Sequence, residues 1–260
     1  MMIEFEKYHG AGNDFILVDN RSGQFKNWSN ALIKQLCDRH FGIGADGLIL
    51  LEEHPDLDYR MVYFNSDGNE STMCGNGGRC LAHFAKALGI IETAGSFEAI
   101  DGIHAVEFRD GLVRLGMNHV DDIDFLEDTV ILNTGSPHVV TMADNVDMLD
   151  VQEAGERIRY SDTFKEEGIN VNFVEQQNDV FNVRTYERGV EAETLSCGTG
   201  VTAVAIAMHA MGRTVKQLVD IITPGGELQV EFEKTESGYG NIHLIGPAMP
   251  VFKGTIVCKP

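Results

Sequence analysis

Two segments of the chain share one local pattern, and this repeat limits what the chain can fold into. The first segment covers residues 65–79 and the second covers residues 186–200. In each, a polar, acidic stretch comes before a lone cysteine, and a Gly-x-Gly step and an apolar, alanine-rich segment follow it. Because about 120 residues separate the two cysteines, Cys74 and Cys197, the repeat indicates an internal duplication with one copy in each half.

Hydrophobic periodicity predicts few helices and many strands. Two helices are amphipathic, at residues 30–39 and 151–159, and two follow the cysteines, at residues 78–88 and 200–211. The last of these is apolar on all sides, which is typical of a helix buried inside its domain. The predicted strands, many of them β-branched or alternating in polarity, cover residues 15–18, 48–51, 59–64, 105–108, 112–117, 130–132, 139–140, 169–174, 180–186, 228–232 and 242–245.

Runs of strands with rare helices favour an α+β fold over a doubly wound parallel sheet. Each half of the chain has several strands, one cysteine segment, one buried helix and one amphipathic helix. The sequence therefore predicts two pseudo-symmetric domains, with a boundary after the strand at residues 112–117.

Composition argues against several classes of partner. The 40 Asp and Glu residues against 20 Lys and Arg give a formal net charge of −20, and such a surface repels nucleic acid and anionic membranes. We expect no membrane span, because the longest apolar run is too short, and no secretory leader. Five cysteines, sparse and irregularly spaced, argue against a disulfide framework, so we expect a cytoplasmic protein.

Cys74 and Cys197 are the candidate reactive thiols. A Cys-Gly-x-Gly sequence at the start of a helix leaves backbone N–H groups for an anion and favours the thiolate. The other three cysteines, Cys37, Cys80 and Cys258, lack this setting and are expected to serve packing.

Three chemistries could use two such thiols: a zinc site, a redox dithiol, or a two-base proton transfer at carbon. The cysteine spacing matches neither the usual zinc patterns nor Cys-x-x-Cys, so proton transfer is favoured. Base strength alone cannot drive it, because an α-proton is far less acidic than a thiol with a pKa of about 8.5. The site must also stabilise the carbanion and exclude water. The N–H groups that could hold a substrate carboxylate belong to Gly75, Asn76, Gly198 and Thr199.

In these motifs, and in others that follow one another along the chain, the sequence resembles the diaminopimelate epimerases. The similarity covers nearly the whole chain, and the two Cys-Gly blocks are its most specific part. The matching blocks are residues 7–15, 64–80, 135–138, 170–173, 186–200, 246–249 and 252–254.

The resemblance implies an isomerase that converts LL-2,6-diaminopimelate to meso-diaminopimelate by a two-base mechanism, on the route to lysine and peptidoglycan. It implies no cofactor and no metal, a small-molecule substrate, and a chain that could form a homodimer. It also implies strands wrapped around a central buried helix in each domain, with the active site in the cleft between the domains. The last strand would return to the first domain, so the domains would be residues 1–117 with 249–260, and residues 118–248.

The resemblance also assigns roles to residues. Cys74 and Cys197 would be the acid/base pair, with Glu187 and His138 supporting them. The substrate would be bound by Asn13, Asn65, Gly75, Asn76, Asn170, Glu187, Arg188, Gly198 and Thr199. Among these, Arg188 is suited to a bidentate grip on the distal carboxylate.

The sequence departs from the family's commonest pattern at three points. Ser136 stands where an Asn often precedes Pro-His, and Gly47 stands where some members carry a Gln. The stretch between Arg188 and Cys197 is also one residue longer than in some relatives. A shorter side chain at position 136 is expected to lose one amide contact with the substrate, unless a water or a neighbour replaces it.

Three alternatives stay open. A racemase resembling proline racemase would share the two thiols but should lack the basic group that Arg188 offers to a distal amino-carboxylate. An isomerase of the phenazine-biosynthesis type should lack the cysteine pair. A catalytically silent binding or redox-sensing protein could use the same scaffold, although both cysteines and the Glu187-Arg188 pair argue against it.

Overall fold

The structure is a computed structural model that describes residues 2–25 and 28–258. Its contacts divide the chain into two units. The first unit takes in the chain up to Leu115 and again from Pro247, and the second is Gly116–Gly246. The boundaries expected from the sequence stand two residues further along the chain in each case.

The described residues form seventeen strands and four helices. The first unit contains β1 (Met2–Gly10), β2 (Asn13–Asp19), α1 (Asn30–Cys37), β3 (Gly47–Glu52), β4 (Tyr59–Asn65), α2 (Gly75–Ala87), β5 (Ala94–Ala99), β6 (Gly102–Arg109) and β7 (Leu112–Gly116). The second contains β8 (Ile123–Leu126), β9 (Thr129–Asn133), β10 (Pro137–Met142), α3 (Val151–Arg159), β11 (Asn170–Gln177), β12 (Val180–Glu187), β13 (Ala192–Thr194), α4 (Gly198–Ala210), β14 (Leu218–Thr223), β15 (Gly226–Lys234) and β16 (Tyr239–Gly246). The final strand, β17 (Met249–Val257), returns to the first unit.

Strand pairing follows the same order in both units. In the first unit β17, β1 and β2 pair antiparallel, β2 pairs parallel with β3 across α1, β3 pairs antiparallel with β4, and β4 pairs parallel with β5 across α2. In the second, β8, β9 and β10 pair antiparallel, β10 pairs parallel with β11 across α3, β11 pairs antiparallel with β12, and β12 pairs parallel with β14 across α4. Two further antiparallel pairings close each series. The predicted α+β fold with a duplicated architecture is confirmed.

The buried helix of each unit is the one that follows a cysteine. Helix α2 packs against β1, β2 and β3, and α4 packs against β9–β12 and β14–β16. Every residue of α4 from Gly200 to Met208 is buried, as its apolar sequence predicts. The amphipathic helices α1 and α3 instead contribute residues, among them Ile33 and Val151, to two other clusters of buried apolar side chains.

Both cysteine-linked helices begin earlier than the sequence predicts. They start at Gly75 and Gly198, directly after the cysteines, instead of at residues 78 and 200. Glycine disfavours helix interiors, which moved the predicted starts too far along the chain. Close packing outweighs this cost. A Cβ on Gly78 would lie 3.1 Å from a methyl of Leu115, and a Cβ on Gly200 would lie 2.4 Å from the Asn172 Oδ1.

The residue patterns left six strands unassigned, β1, β5, β8, β13, β14 and β17, although the family resemblance implied the returning last strand that β17 forms. The pattern of β17 explains one of them, because most of its residues are exposed whatever their polarity and it lacks a buried apolar face. None of the helices in residues 2–25 and 28–258 has the length and apolar character that a membrane span requires.

Candidate active site

Cys74 lies at the amino end of α2 and is the N-cap residue of that helix. Its backbone is extended, and its carbonyl accepts the first helical hydrogen bond from Gly78, at 2.7 Å. Helical geometry turns the N–H groups of the first turn, beginning with Gly75, outward from the helix end. The thiol donates to the Asn13 Oδ1 at 3.5 Å. The structure therefore brings together three residues that the sequence predicts for the site: Asn13, Cys74 and Asn76.

A line of hydrogen bonds fixes the orientation of the Asn13 amide. Its Nδ2 donates to the Asp46 carboxylate at 2.7 Å, and its Oδ1 accepts from the Asn76 Nδ2 at 3.3 Å. The Asn76 Oδ1 in turn accepts from the Arg79 Nη2 at 2.9 Å. A carboxylate only accepts and a guanidinium only donates, so both amides have one satisfied orientation. In that orientation Asn13 presents a carbonyl oxygen to Cys74.

Two acidic and two basic side chains support this line from behind. Lys7 lies 2.6 Å from Asp14, and Arg39 bonds both Asp14 and Asp46 at 2.8 Å. Burial alone would raise the pKa of Asp14, but hydrogen bonds from Arg39 and Lys7 outweigh burial and lower that pKa to about 2. Ion pairs among these four side chains therefore hold the Asp46 carboxylate that accepts from Asn13.

Arg79 is fully buried one helical turn after Cys74. Its Nη1 donates to the Gly75 carbonyl at 3.3 Å. Burial lowers the pKa of its guanidinium to about 10, which leaves it protonated at neutral pH. Sequence reasoning gave no role to Arg79, although it ends the first cysteine segment, or to Asp46, which precedes Gly47.

Asn65 ends β4 and shares a turn with Gly68 and Asn69. Its N–H donates to the Asn69 carbonyl at 3.0 Å, and its own carbonyl accepts from Gly68 at 2.9 Å. In the sheet Asn65 is opposite Gly47. A Cβ on Gly47 would lie 2.5 Å from the Tyr63 ring, so the ring occupies the space that a longer side chain at position 47 would need.

Cys197 is the N-cap residue of α4 and repeats the geometry of Cys74. Its backbone is extended, its carbonyl accepts from Val201 at 2.8 Å, and its side chain is 8% exposed. The neighbour of its sulfur is different, however. The Sγ lies 3.5 Å from the Thr199 hydroxyl oxygen, a group that can donate as well as accept.

Three polar side chains form a closed triangle beside Cys197. The His138 Nε2 lies 3.0 Å from the Ser136 Oγ and 3.0 Å from the Thr199 Oγ1, and the two hydroxyls lie 3.1 Å apart. His138 is fully buried. Burial, and then the positive charge of Arg188, lower the pKa of His138 to about 3, so its ring is neutral at physiological pH.

Ser136 therefore occupies a definite place in the site. The sequence predicts only that it loses an amide contact, whereas its hydroxyl joins His138, Thr199 and the Asn170 Nδ2, the last at 3.2 Å. Asn170 also accepts from the backbone N–H of Arg188 at 2.9 Å, which ties β11 to the end of β12.

The remaining predicted residues of the second unit lie at the end of β12. Arg188 is exposed, and its Nη1 donates to the Glu167 carbonyl at 3.0 Å. The carboxylate of Glu187 accepts from the Thr194 hydroxyl at 2.5 Å. Polar contacts with neighbouring groups therefore position both side chains.

Asn172 is the residue that sequence reasoning missed most clearly. It is fully buried and contacts His138 through its Nδ2, at 3.1 Å from the ring Nδ1. The signal was present in the sequence, because residues two apart on a strand share a face and Asn170 was already a candidate.

The three cysteines expected to serve packing are buried. Burial raises the pKa of the Cys37 thiol to about 12 and raises the pKa of the Cys80 and Cys258 thiols as well. Within residues 2–25 and 28–258, no three His, Cys, Asp or Glu side chains come together in a group that could hold a metal ion.

The sequence was compared with known proteins, and a family model and several curated relatives match it. The family model described as diaminopimelate epimerase matches residues 5–121 and 130–249. A diaminopimelate epimerase from Flavobacterium psychrophilum is 54% identical over 252 residues, which cover 96% of this chain and 98% of that protein. One from Chlorobaculum tepidum is 43% identical, over 95% of this chain and 98% of that protein.

Solved structures of lower sequence identity share the fold. A phenazine biosynthesis protein of the PhzF family from Bacillus anthracis superposes with a TM-score of 0.80 at 14% identity, over 99% of this chain and 100% of that chain. A hydroxyproline epimerase from Agrobacterium vitis gives a TM-score of 0.71 at 15% identity, over 98% of this chain and 92% of that chain.

Proposed function

Because the chain belongs to the diaminopimelate epimerase family, we propose that it interconverts LL-2,6-diaminopimelate and meso-diaminopimelate. The protein is an isomerase. The observation that carries the substrate assignment is 54% identity to a diaminopimelate epimerase over nearly the whole chain, with both cysteine-capped helices in place.

The reaction moves one proton at one α-carbon. One cysteine, as the thiolate, removes the α-proton and becomes a thiol, while the electron pair stays on carbon next to the carboxylate. The other cysteine gives its S–H proton to the opposite face of that carbon and becomes a thiolate. No atom or electron is lost, so the two thiols suffice as acid and base. After one turnover the first cysteine is a thiol and the second is a thiolate.

The amino ends of the two helices help to overcome the weak acidity of the α-proton. Each cysteine caps the amino end of a thirteen-residue helix, where the helix dipole presents about half a positive charge. That charge favours a thiolate at the sulfur and a carboxylate at the outward N–H groups of Gly75 and Gly198. It also stabilises the negative charge that develops beside the carboxylate in the transition state.

Substrate specificity follows from groups farther from the cysteines. We assign the distal carboxylate to Arg188, whose guanidinium is held by the Glu167 carbonyl, and the distal amino group to the acceptor oxygens of Glu187 and Asn170. Asn13, Asn65 and the first turns of α2 and α4 would bind the reacting end.

Cellular context is part of the proposal. The acidic composition supports a small-molecule substrate as the partner, in place of nucleic acid or a membrane surface. We place the enzyme in the cytoplasm, where its five reduced cysteines are compatible with the redox conditions. A homodimer stays a prediction, which sedimentation of the purified chain tests.

Proton NMR of LL-diaminopimelate in D2O tests the function. With reduced protein, we expect the α-proton signal to decay and the meso isomer to appear with deuterium at the inverted carbon. The variant Cys74→Ser/Cys197→Ser is the matched control and should give neither change. L-Proline and trans-4-hydroxy-L-proline are run in parallel. Exchange of these two without exchange of diaminopimelate would replace the proposal with a proline-type racemase.

A further inference from the structure

The side chain of Asn172 has one orientation that satisfies all its neighbours. One of its terminal atoms lies 3.0 Å from the Val139 carbonyl oxygen and 3.1 Å from the His138 Nδ1, and the other lies 3.0 Å from the Thr185 hydroxyl. A carbonyl oxygen only accepts, so the atom beside Val139 is the amide nitrogen. Asn172 therefore donates to the His138 Nδ1 and accepts from Thr185.

This contact decides which nitrogen of His138 carries the ring proton. The ring is neutral because it is fully buried, and a neutral imidazole has one N–H. Since the Nδ1 accepts from Asn172, the proton is on the Nε2. That N–H faces the hydroxyl oxygens of Ser136 and Thr199, both at 3.0 Å, and donates to them.

The same reasoning orders the two hydroxyl protons. The Ser136 oxygen accepts from the Asn170 Nδ2 and from His138, so its own proton is directed to the Thr199 oxygen at 3.1 Å. The Thr199 oxygen then has its acceptor capacity engaged, and its proton points to the Cys197 sulfur at 3.5 Å.

We propose that Asn172 is a positioning residue that sets the direction of this hydrogen-bond chain, which runs through His138, Ser136 and Thr199 and ends with an O–H donor at the Cys197 sulfur. No proton is transferred along the chain, and each group only orients the next. The importance of this hydrogen-bond chain for turnover rests on the proposed epimerase function. The direction of its hydrogen bonds is independent of that function.

An O–H donor at the sulfur stabilises the thiolate over the thiol. Two other charged groups lie in this region: Arg188, whose charge acts on His138, and Glu187, which is engaged with Thr194. Neither is a link of the chain. The contact of Cys74 with Asn13 has the opposite direction, because there the thiol donates to a carbonyl oxygen.

The first experiment is 15N NMR of the substrate-free protein with labelled histidine, in which His138→Gln identifies the resonances of the ring. We expect the tautomer with the proton on the Nε2, with no titration between pH 8 and pH 5. A ring with the proton on the Nδ1, or one that becomes doubly protonated in this range, would overturn the proposal. In Asn172→Ala, the tautomer preference should be lost, and an unchanged preference would remove Asn172 from its role.

The second experiment measures the pKa of the Cys197 thiol, where the hydrogen-bond chain ends, in a protein that also carries Cys74→Ser. The apparent pKa of Cys197 is obtained from the pH dependence of alkylation, followed peptide by peptide by mass spectrometry. Thr199→Val should lower the thiolate fraction at neutral pH about tenfold, because a hydrogen bond to a charged group is lost. Thr199→Ser keeps the hydroxyl and should restore the parent value.

The variant Ser136→Ala provides a further check, again through the pKa of Cys197. The His138 Nε2 already lies 3.0 Å from the Thr199 oxygen, so it can donate there directly when Ser136 is absent. We therefore expect less than half of the shift in pKa that Thr199→Val produces. Equal values for Thr199→Val and the parent would mean that the chain does not end at the sulfur. Because no substrate is used, this outcome is independent of whether the protein epimerises diaminopimelate.

Discussion

At the scale of single residues, the two cysteine sulfurs contact different polar groups. Both cap a helix with an extended backbone, but the Cys74 sulfur meets the Asn13 carbonyl and the Cys197 sulfur meets the Thr199 hydroxyl. A carbonyl can only accept, so it favours the S–H form, whereas the Thr199 hydroxyl, with its proton directed to the sulfur, favours the thiolate. The duplication has therefore kept the helix geometry and changed the group that touches each sulfur.

Replacement of either cysteine by serine tests the acid/base roles. A serine hydroxyl is a much weaker acid than a thiol, so Cys74→Ser and Cys197→Ser should each lower kcat by about 100-fold or more. The measurement is epimerisation followed by NMR, with circular dichroism to confirm folding. Cys258→Ala, at a buried site of the first unit, is the control and should keep its activity. Substantial turnover in both serine variants would contradict the two-base mechanism.

Gly47 permits a second prediction at this scale. A Cβ there would lie 2.5 Å from the Tyr63 ring and 2.6 Å from the Phe64 carbonyl oxygen. Gly47→Gln should therefore lower the free energy of unfolding by about 1–3 kcal/mol, as measured by urea denaturation. In a Tyr63→Ala background Gly47→Gln should cost less, but not nothing, since the backbone contact remains. A stability equal to the parent's in Gly47→Gln would show that the ring moves away without cost.

At the scale of elements, close packing decides where small residues stand. Helix α3 lies so near β12 that a Cβ on Gly155 would come within 2.5 Å of the Tyr186 Cβ and Cγ. These atoms are the base of a fully buried side chain and cannot swing aside. The glycine therefore sets how closely α3 approaches the sheet.

Gly155→Ala should destabilise the protein in spite of the better helix propensity of alanine. The propensity gain is about 1 kcal/mol, whereas overpacking of this kind costs about 1–3 kcal/mol. We expect a net loss of about 1 kcal/mol in the free energy of unfolding by urea denaturation. Arg157→Ala, at an exposed position of the same helix, should change it by less than about 0.5 kcal/mol. A stabilised Gly155→Ala variant would contradict the packing argument.

The sequence predicted elements better than contacts. The two cysteine-linked helices followed from their apolar or alanine-rich runs, although glycine propensity misplaced their starts. Strand β17 has no apolar face, so only the family resemblance indicated it, and its place depends on hydrogen bonds to β1. Asn172 and Asp46 were missed for a related reason. The importance of each residue comes from the side chains that it meets across the fold, and for Asn172 the one local signal was the strand face that it shares with Asn170.

At the scale of the whole molecule, the excess of acidic residues makes the stability of the fold depend on pH through its paired carboxylates. With a net charge of −20, lowering the pH relieves self-repulsion but also protonates carboxylates that the fold uses. Asp14 is the clearest case, because its pKa in the folded protein is about 2 and its ordinary value is 3.8. The folded state therefore gains stability from Asp14 above about pH 4 and loses it as the pH falls towards 2.

The parent should lose stability more steeply than Asp14→Asn between pH 5 and pH 3. The difference in slope should reach about 1 kcal/mol per pH unit near pH 3, since the unfolded chain binds about 0.8 more proton at Asp14 there. Urea denaturation at each pH provides the free energies. His138, whose pKa is lowered by folding, adds a further loss below its ordinary value of 6.5, but both proteins share it. Parallel curves would mean that Asp14 has no such role.

The antiparallel pairing of β17 with β1 also orders events on the ribosome. The second unit, Gly116–Gly246, is made from one continuous stretch of chain, whereas the first needs residues from Pro247 onward. Translation must therefore finish the second unit before β1 can meet its outer neighbour. Until then the nascent first unit carries an open strand edge, the kind of surface that chaperones bind and that neighbouring chains can pair with. The unit that is encoded first is the one that is completed last.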